Sequence, residues 1–197
     1  MSNQWYDIEL WQWVDLDINQ WGFSTSTGLS GLYQICTDDN CVYAATSSGL
    51  DIVSLETEER INFIEPAGYT FTTVWASEYV IFLGTSISGI KAINKVDIYN
   101  SDLLSYVYDY VVYPDILSNT VAYLHGNSDK LICCTAGSVD IIRRSTHYIT
   151  HTEIVGAKKC FVTPVLNYFY YTVLSAGKYK LHRLNSNTTD WTTSDVV

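Results

Sequence analysis

Four segments of the chain can be written beneath one another: "DNCVYAATSSGLDIVSL", "SEYVIFLGTSISGIKAIN", "SDKLICCTAGSVDIIRR" and "LNYFYYTVLSAGKYKLHRL". In each, polar residues precede an apolar run, and a threonine follows: Thr46, Thr85, Thr135 and Thr172. Small residues and a glycine come next (Gly49, Gly89, Gly137, Gly177), and then a second alternating run. The threonines lie 39, 50 and 37 residues apart. A unit of this period that cannot bury its own apolar face has to stack on copies of itself, and a unit made of short strands is a four-stranded propeller blade. In the third copy the strands read "NTVAYLHG", "KLICCTA", "SVDIIRR" and "YITHTEIV". The recurring turn has a physical reason, since glycine tolerates positive φ and a small hydroxyl satisfies a loose backbone group. The longest spacing places an insertion within residues 97–115, as an outer hairpin or a protruding loop.

Composition agrees with strands. Sixteen Tyr and six Trp against three Pro and one Met favour pleated, half-buried surfaces over helices. The expectation is an all-β chain: a small β-propeller of about four four-stranded blades at residues 21–197, with an N-terminal extension at residues 1–20. "NQWGFSTSTGL" (19–29) and "TTDWTTSDVV" (188–197) share a Trp followed by a Ser/Thr run, so an outer strand stands near each end. One of them either closes the disc or pairs with a neighbouring molecule. The extension is rich in Trp and acid and belongs to no repeat. Trp5, Trp11 and Trp13 cap the disc or form an arm that docks on a partner, and with Asp15 and Asp17 they are the candidate partner-binding residues.

Charge is distributed unevenly. The net charge is −10, and residues 1–59 carry ten acids and no base, while residues 60–197 are balanced. Lys130, Arg143, Arg144, Lys158, Lys159, Lys178, Lys180 and Arg183 make the last third basic. The pattern is either an ordinary solvated surface or a polar molecule whose acidic end meets a basic neighbour. A net negative domain without a continuous basic patch argues against nucleic acid as a partner. Apolar stretches fall far short of the roughly 20 residues that span a bilayer, so no membrane partner is expected. The N-terminal residues lack the basic and apolar regions of a signal peptide.

Chemistry-bearing patterns are sparse. Asp15, Asp17 and Asn19 alternate like calcium ligands, but Gln20 stands where such a loop needs glycine. His147 and His151 would share a face on a strand but stand about 13 Å apart, too far to share a zinc ion. Asn187 begins a glycosylation pattern that reads as a turn. Five cysteines without a CxxC pair read as small reduced core residues, or as one Cys36–Cys41 bridge across a hairpin. Cys133 and Cys134 are adjacent and should point to opposite faces. No phosphate loop, nucleophile elbow or triad is visible, and no catalytic residue, cofactor or metal is expected.

The run "STSTGLSGLYQICTDDNCVYAATSSGLDIV" resembles degenerate propeller repeats of sensory and cell-surface proteins. "VWASEYVIFLGTSISGIKAIN", "YVVYPDILSNTVAYLHGNSDKLICCTAGSVDII" and "GAKKCFVTP" are more similar still to β-propeller-repeat virion proteins, tail- or fibre-associated, of tailed bacteriophages. The resemblance covers roughly residues 25–192. It implies a non-enzymatic structural component of the particle, made in the host cytoplasm and assembled with other virion proteins or further copies of itself. A host surface receptor stays open as a partner. The alternative is a ligand- or glycan-binding propeller module of a sensor or receptor-recognition protein.

Overall fold

The structure is a computed structural model, which describes residues 31–112, 115–116, 118–152, 157–163, 168–185 and 195–196. Its strands form four antiparallel sheets, each a meander of four consecutive strands. The first contains β1 (Leu32–Thr37), β2 (Cys41–Thr46), β3 (Leu50–Ser54) and β4 (Arg60–Ile64). The second contains β5 (Phe71–Ala76), β6 (Val80–Thr85), β7 (Ile90–Asn94) and β8 (Tyr108–Val111). The third contains β9 (Val121–Gly126), β10 (Lys130–Thr135), β11 (Val139–Arg143) and β12 (Tyr148–Thr152). The fourth contains β13 (Ala157–Val162), β14 (Tyr168–Ser175), β15 (Lys178–Asn185) and the short β16 (Asp195–Val196). This is the small four-bladed propeller that the repeat implies. Thr46, Thr85, Thr135 and Thr172 all lie in second strands.

Alternation along the second and third strands sends neighbouring side chains into different cores, which is why these runs are apolar on both faces. Tyr43 and Ile52 of the first sheet pack with Phe71, Ile81 and Leu83 of the second. Phe82 and Ile90, on the other face of the second sheet, pack with Leu124, Leu131 and Cys133 of the third. Ile132, Cys134 and Val139 then pack with Cys160, Phe169 and Tyr171 of the fourth. Cys133 and Cys134 therefore point to opposite faces, as their adjacency requires. Each fully buried Leu, Ile or Phe side chain in these layers contributes roughly 1.5–3 kcal/mol.

The second-to-third strand turn follows the expected chemistry in three sheets. The Thr46 hydroxyl donates to the carbonyl of Gly49 at 3.0 Å and accepts from its N–H at 3.2 Å. Thr85 donates to the Gly89 carbonyl and accepts from Ser88 N–H, both at 2.8 Å. Thr135 accepts from Ser138 N–H at 3.1 Å. At Gly49 a Cβ would stand 2.0 Å from the Ile64 carbonyl oxygen, so only glycine fits between the strands. The fourth sheet departs from the pattern. Its hairpin turns on Ala176 and Gly177, at φ 48° and 75°, a two-residue turn that needs no hydroxyl. Register shows why: Thr46, Thr85 and Thr135 stand opposite Leu32, Phe71 and Val121, whereas Val173 stands opposite Ala157 and Thr172 is one residue early.

The insertion lies between β7 and β8. It forms neither a hairpin nor a protrusion. Two short 3-10 turns (Lys95–Asp97 and Leu103–Tyr106) fold it onto the first sheet. Ile98 and Leu103 are buried there, and Asn62 Nδ2 donates to the carbonyls of Ile98 at 2.9 Å and Asn100 at 2.7 Å.

Candidate functional site

Each sheet's first strand carries one extra residue near its start: Tyr33, Thr72, Ala122 and Lys158. Such a bulge twists the strand and re-aims the side chain that follows it. Those following side chains are Gln34, Thr73, Tyr123 and Lys159, one from each sheet, and the first two converge on the backbone of Leu124 in the third sheet. The Thr73 hydroxyl donates to Gln34 Oε1 and accepts from Leu124 N–H at 2.8 Å, while Gln34 Nε2 donates to the Leu124 carbonyl at 3.4 Å. Lys159 places its ammonium 4.2 Å from the centre of the Tyr123 ring. Lys159 is exposed as a residue, but partial desolvation of its ammonium beside the ring pulls its pKa below the usual lysine range.

Two residues further along stand Cys36, Trp75, His125 and Phe161; the first three face the next sheet, and Phe161 packs back on His125 while 46% exposed. Ala76 N–H donates to Cys36 Sγ at 3.2 Å, and Val162 N–H donates to His125 Nδ1 at 3.2 Å. The Trp75 ring covers Gly126, where a Cβ would meet it at 2.7 Å. These matched contacts show that the four first strands run in the same direction side by side. They also satisfy backbone donors on strands that have no ladder partner on that side. His125 sits between Trp75 and Phe161, with ring centres 6.4 Å and 4.4 Å away. Burial lowers its pKa to about 4, so the neutral ring carries its proton on Nε2 and accepts at Nδ1. Burial raises the thiols of Cys36, Cys133 and Cys160, which disfavours thiolate chemistry. All five cysteines are free. Among the described residues, the first strands thus present polar and aromatic side chains toward the axis.

Because the first strands are parallel, the disc has two distinct rims. The turns between second and third strands gather on one, here the upper rim; the remaining turns within each sheet gather on the lower. At the lower rim of the first sheet a pocket of about 270 Å3 is lined by Asp39, Asn40, Ser54, Leu55, Glu56 and Tyr99. Asp38 beside it is ion-paired with Lys95 and accepts from the Tyr43 hydroxyl at 2.8 Å. Partial burial opposes ionisation of Asp38, but the hydrogen bonds from Lys95, Tyr43 and two backbone N–H groups outweigh it and hold the carboxyl below its usual range. At the upper rim the fourth sheet presents Lys158, Lys178, Tyr179 and Lys180, all exposed.

The candidate partner residues Trp5, Trp11, Trp13, Asp15 and Asp17 lie outside the described residues, as do Asn19, Gln20, Asn187 and the Trp-containing stretch at 19–29. His147 stands in the β11–β12 turn with its ring edge-on to Tyr110, and His151 lies on β12 opposite Asp140. Among the described residues no three His, Cys, Asp or Glu side chains are grouped to hold a metal ion. The axial residues escaped the sequence reading because Gln, Thr, Tyr and Lys share no chemistry. Their common feature is a place one residue after a bulge.

No family model matches the chain, and no curated protein matches it. Solved structures do. The computationally designed Ika4 protein is 13% identical over 80% of this chain and 94% of its own, with a TM-score of 0.58. The computationally designed Ika8 protein is 14% identical over 83% of this chain, with a TM-score of 0.59. A chain of a nidogen/laminin complex is 8% identical over 80% of this chain, with a TM-score of 0.60. This chain spans 48% of the matched Ika8 chain and 60% of the nidogen/laminin chain. At these identities the likeness is one of fold alone, and the fold is a small β-propeller.

Proposed function

We propose that the chain is a non-enzymatic structural component of a tailed-phage particle, a rigid disc that holds other virion proteins or further copies of itself. The observation that carries this reading is a pair of local surfaces of opposite charge: the acidic pocket with Leu55 and Tyr99 on the lower rim of the first sheet, and the exposed Lys158, Lys178, Tyr179 and Lys180 on the upper rim of the fourth. Surfaces of that kind suit protein neighbours better than a small substrate. The sequence resemblance to propeller-repeat virion proteins supports the same reading. Residues 1–20, through Trp5, Trp11, Trp13, Asp15 and Asp17, serve in it as a further contact.

Density-gradient fractionation of the particles tests the proposal. The chain should co-sediment with particle proteins at a fixed ratio, and recovery only from the soluble fraction would refute it. Deleting residues 1–20 should leave a folded propeller that no longer incorporates. If the deletion unfolds the domain, the segment belongs to the core and not to an arm.

A further inference from the structure

The fourth sheet is built differently on its open side. Its β14–β15 ladder continues through Leu174 and Ser175, two residues beyond Val173, the partner of the first residue of β13. Elsewhere the second strand ends level with the first. The extra pairs carry the hairpin about 7 Å past the upper rim. Leu174 is 42% exposed, Tyr179 68% and Leu181 39%, all on the face opposite the core-facing Tyr171. The sequence from 157 to 185 contains Lys158, Lys159, Lys178, Lys180 and Arg183 and no acid. Lys158, Lys178 and Lys180 have no ion-pair partner among the described residues.

The first sheet carries the converse at the opposite rim. Asp38 is tied to Lys95 and Asp51 to Arg60, but Asp39, Glu56, Glu58 and Glu59 are exposed and unpaired among the described residues. Leu55 and Tyr99 line the pocket beside them, and Tyr99 is 71% exposed.

We infer that the β14–β15 hairpin is a docking element for a second copy of this chain, seating Lys178, Tyr179 and Lys180 at the acidic pocket on the neighbour's lower rim. The partner is chosen by complementarity in charge and in kind. A projecting hairpin tip with Tyr179 on one face and Lys178 and Lys180 on the other enters a concave site with two carboxylates around a leucine and a tyrosine. Because the two surfaces stand on opposite rims, the contact is head to tail, and it repeats along a stack of discs or closes as a ring. The inference rests on the reading of the chain as an assembly component and names one contact within it.

The test is a charge exchange on the full chain, read by sedimentation velocity over a range of concentrations, with circular dichroism to show that each variant is folded. Wild type should self-associate at about 50 mM salt and weaken at about 500 mM. The Lys178→Glu/Lys180→Glu variant and the Asp39→Lys/Glu56→Lys variant should each associate about tenfold or more weakly. An equimolar mixture of the two should recover association, because each variant then offers the surface that the other lost. A monomeric wild type at all concentrations overturns the contact, as does a mixture that fails to recover; neither result affects co-sedimentation with particles, which tests the structural role separately. If the lysine pair matters, the acid pair does not, and deletion of residues 1–20 abolishes association, the occupant is the N-terminal segment and the inference fails.

Discussion

The second and the fourth sheets share one topology and differ in what surrounds them. In the second, β6 and β7 lie between two neighbours, and Ile81, Phe82, Leu83 and Ile90 are buried almost completely whichever way they point. In the fourth, among the described residues, the face with Phe169 and Tyr171 is buried in this way and the other is not, and its longer β14 and β15 raise apolar and basic groups into solvent. A propeller sheet with two neighbours is constrained on both faces by packing. With one face open, the same meander is free to lengthen and to carry charge, so a repeat can acquire a contact surface without losing its fold.

Core deletion should break the two sheets apart most strongly. Phe82 stacks on Trp75 at 5.7 Å between ring centres and meets Tyr110 edge-on at 4.8 Å. Phe82→Ala should cost about 3–5 kcal/mol in urea unfolding, whereas Leu181→Ala on the open face should cost about 1 kcal/mol or less. Acid should loosen the seam between the third and fourth sheets next. His125 is neutral in the fold with a pKa of about 4, below its value in the unfolded chain, so its contribution is complete above about pH 6.5 and is lost as pH falls toward 4. Partial exposure reduces that contribution to about 1–2 kcal/mol. Comparison of urea midpoints at pH 7 and pH 4 should show a smaller acid loss in His125→Gln than in wild type by this amount.

The turn threonines sharpen the comparison further. Thr85→Val removes a donor to Gly89 and an acceptor for Ser88, and should destabilise by about 1 kcal/mol. Thr172 Oγ1 is buried without a hydrogen-bond partner among the described residues, so Thr172→Val should be neutral or slightly stabilising. The smallest effect belongs to Tyr179→Ser, within about 0.5 kcal/mol in thermal unfolding of dilute protein. A larger loss there would mean that the hairpin tip is part of the fold.

Much of the architecture was legible because second and third strands are selected by burial on two faces, which leaves apolar runs, and because their turns demand Thr and Gly. The alignment slipped at Thr172, since a two-residue turn replaces the hydroxyl-closed one and the threonine there is a coincidence of composition. The insertion was placed correctly but its shape was not, because Ile98 and Leu103 find their buried sites only on another sheet. The first strands were the least legible as a set. "LYQICT", "FTTVWA", "VAYLHG" and "AKKCFV" share an extra backbone residue, and no side-chain type reports it. The axial residues Gln34, Thr73, Tyr123 and Lys159 were hidden for the same reason.

The hydrogen bond from Gln34 to the Leu124 carbonyl also orders events in time. Every sheet is made of consecutive strands, so each can form from local hairpins on a microsecond scale without waiting for distant sequence. Gln34 and Leu124, by contrast, are 90 residues apart and belong to the first and third sheets. Their bond cannot form until the second sheet has brought the third into place. This axial contact is therefore a late event in folding, and its protection from hydrogen exchange should lag behind that of the outer hairpins during refolding.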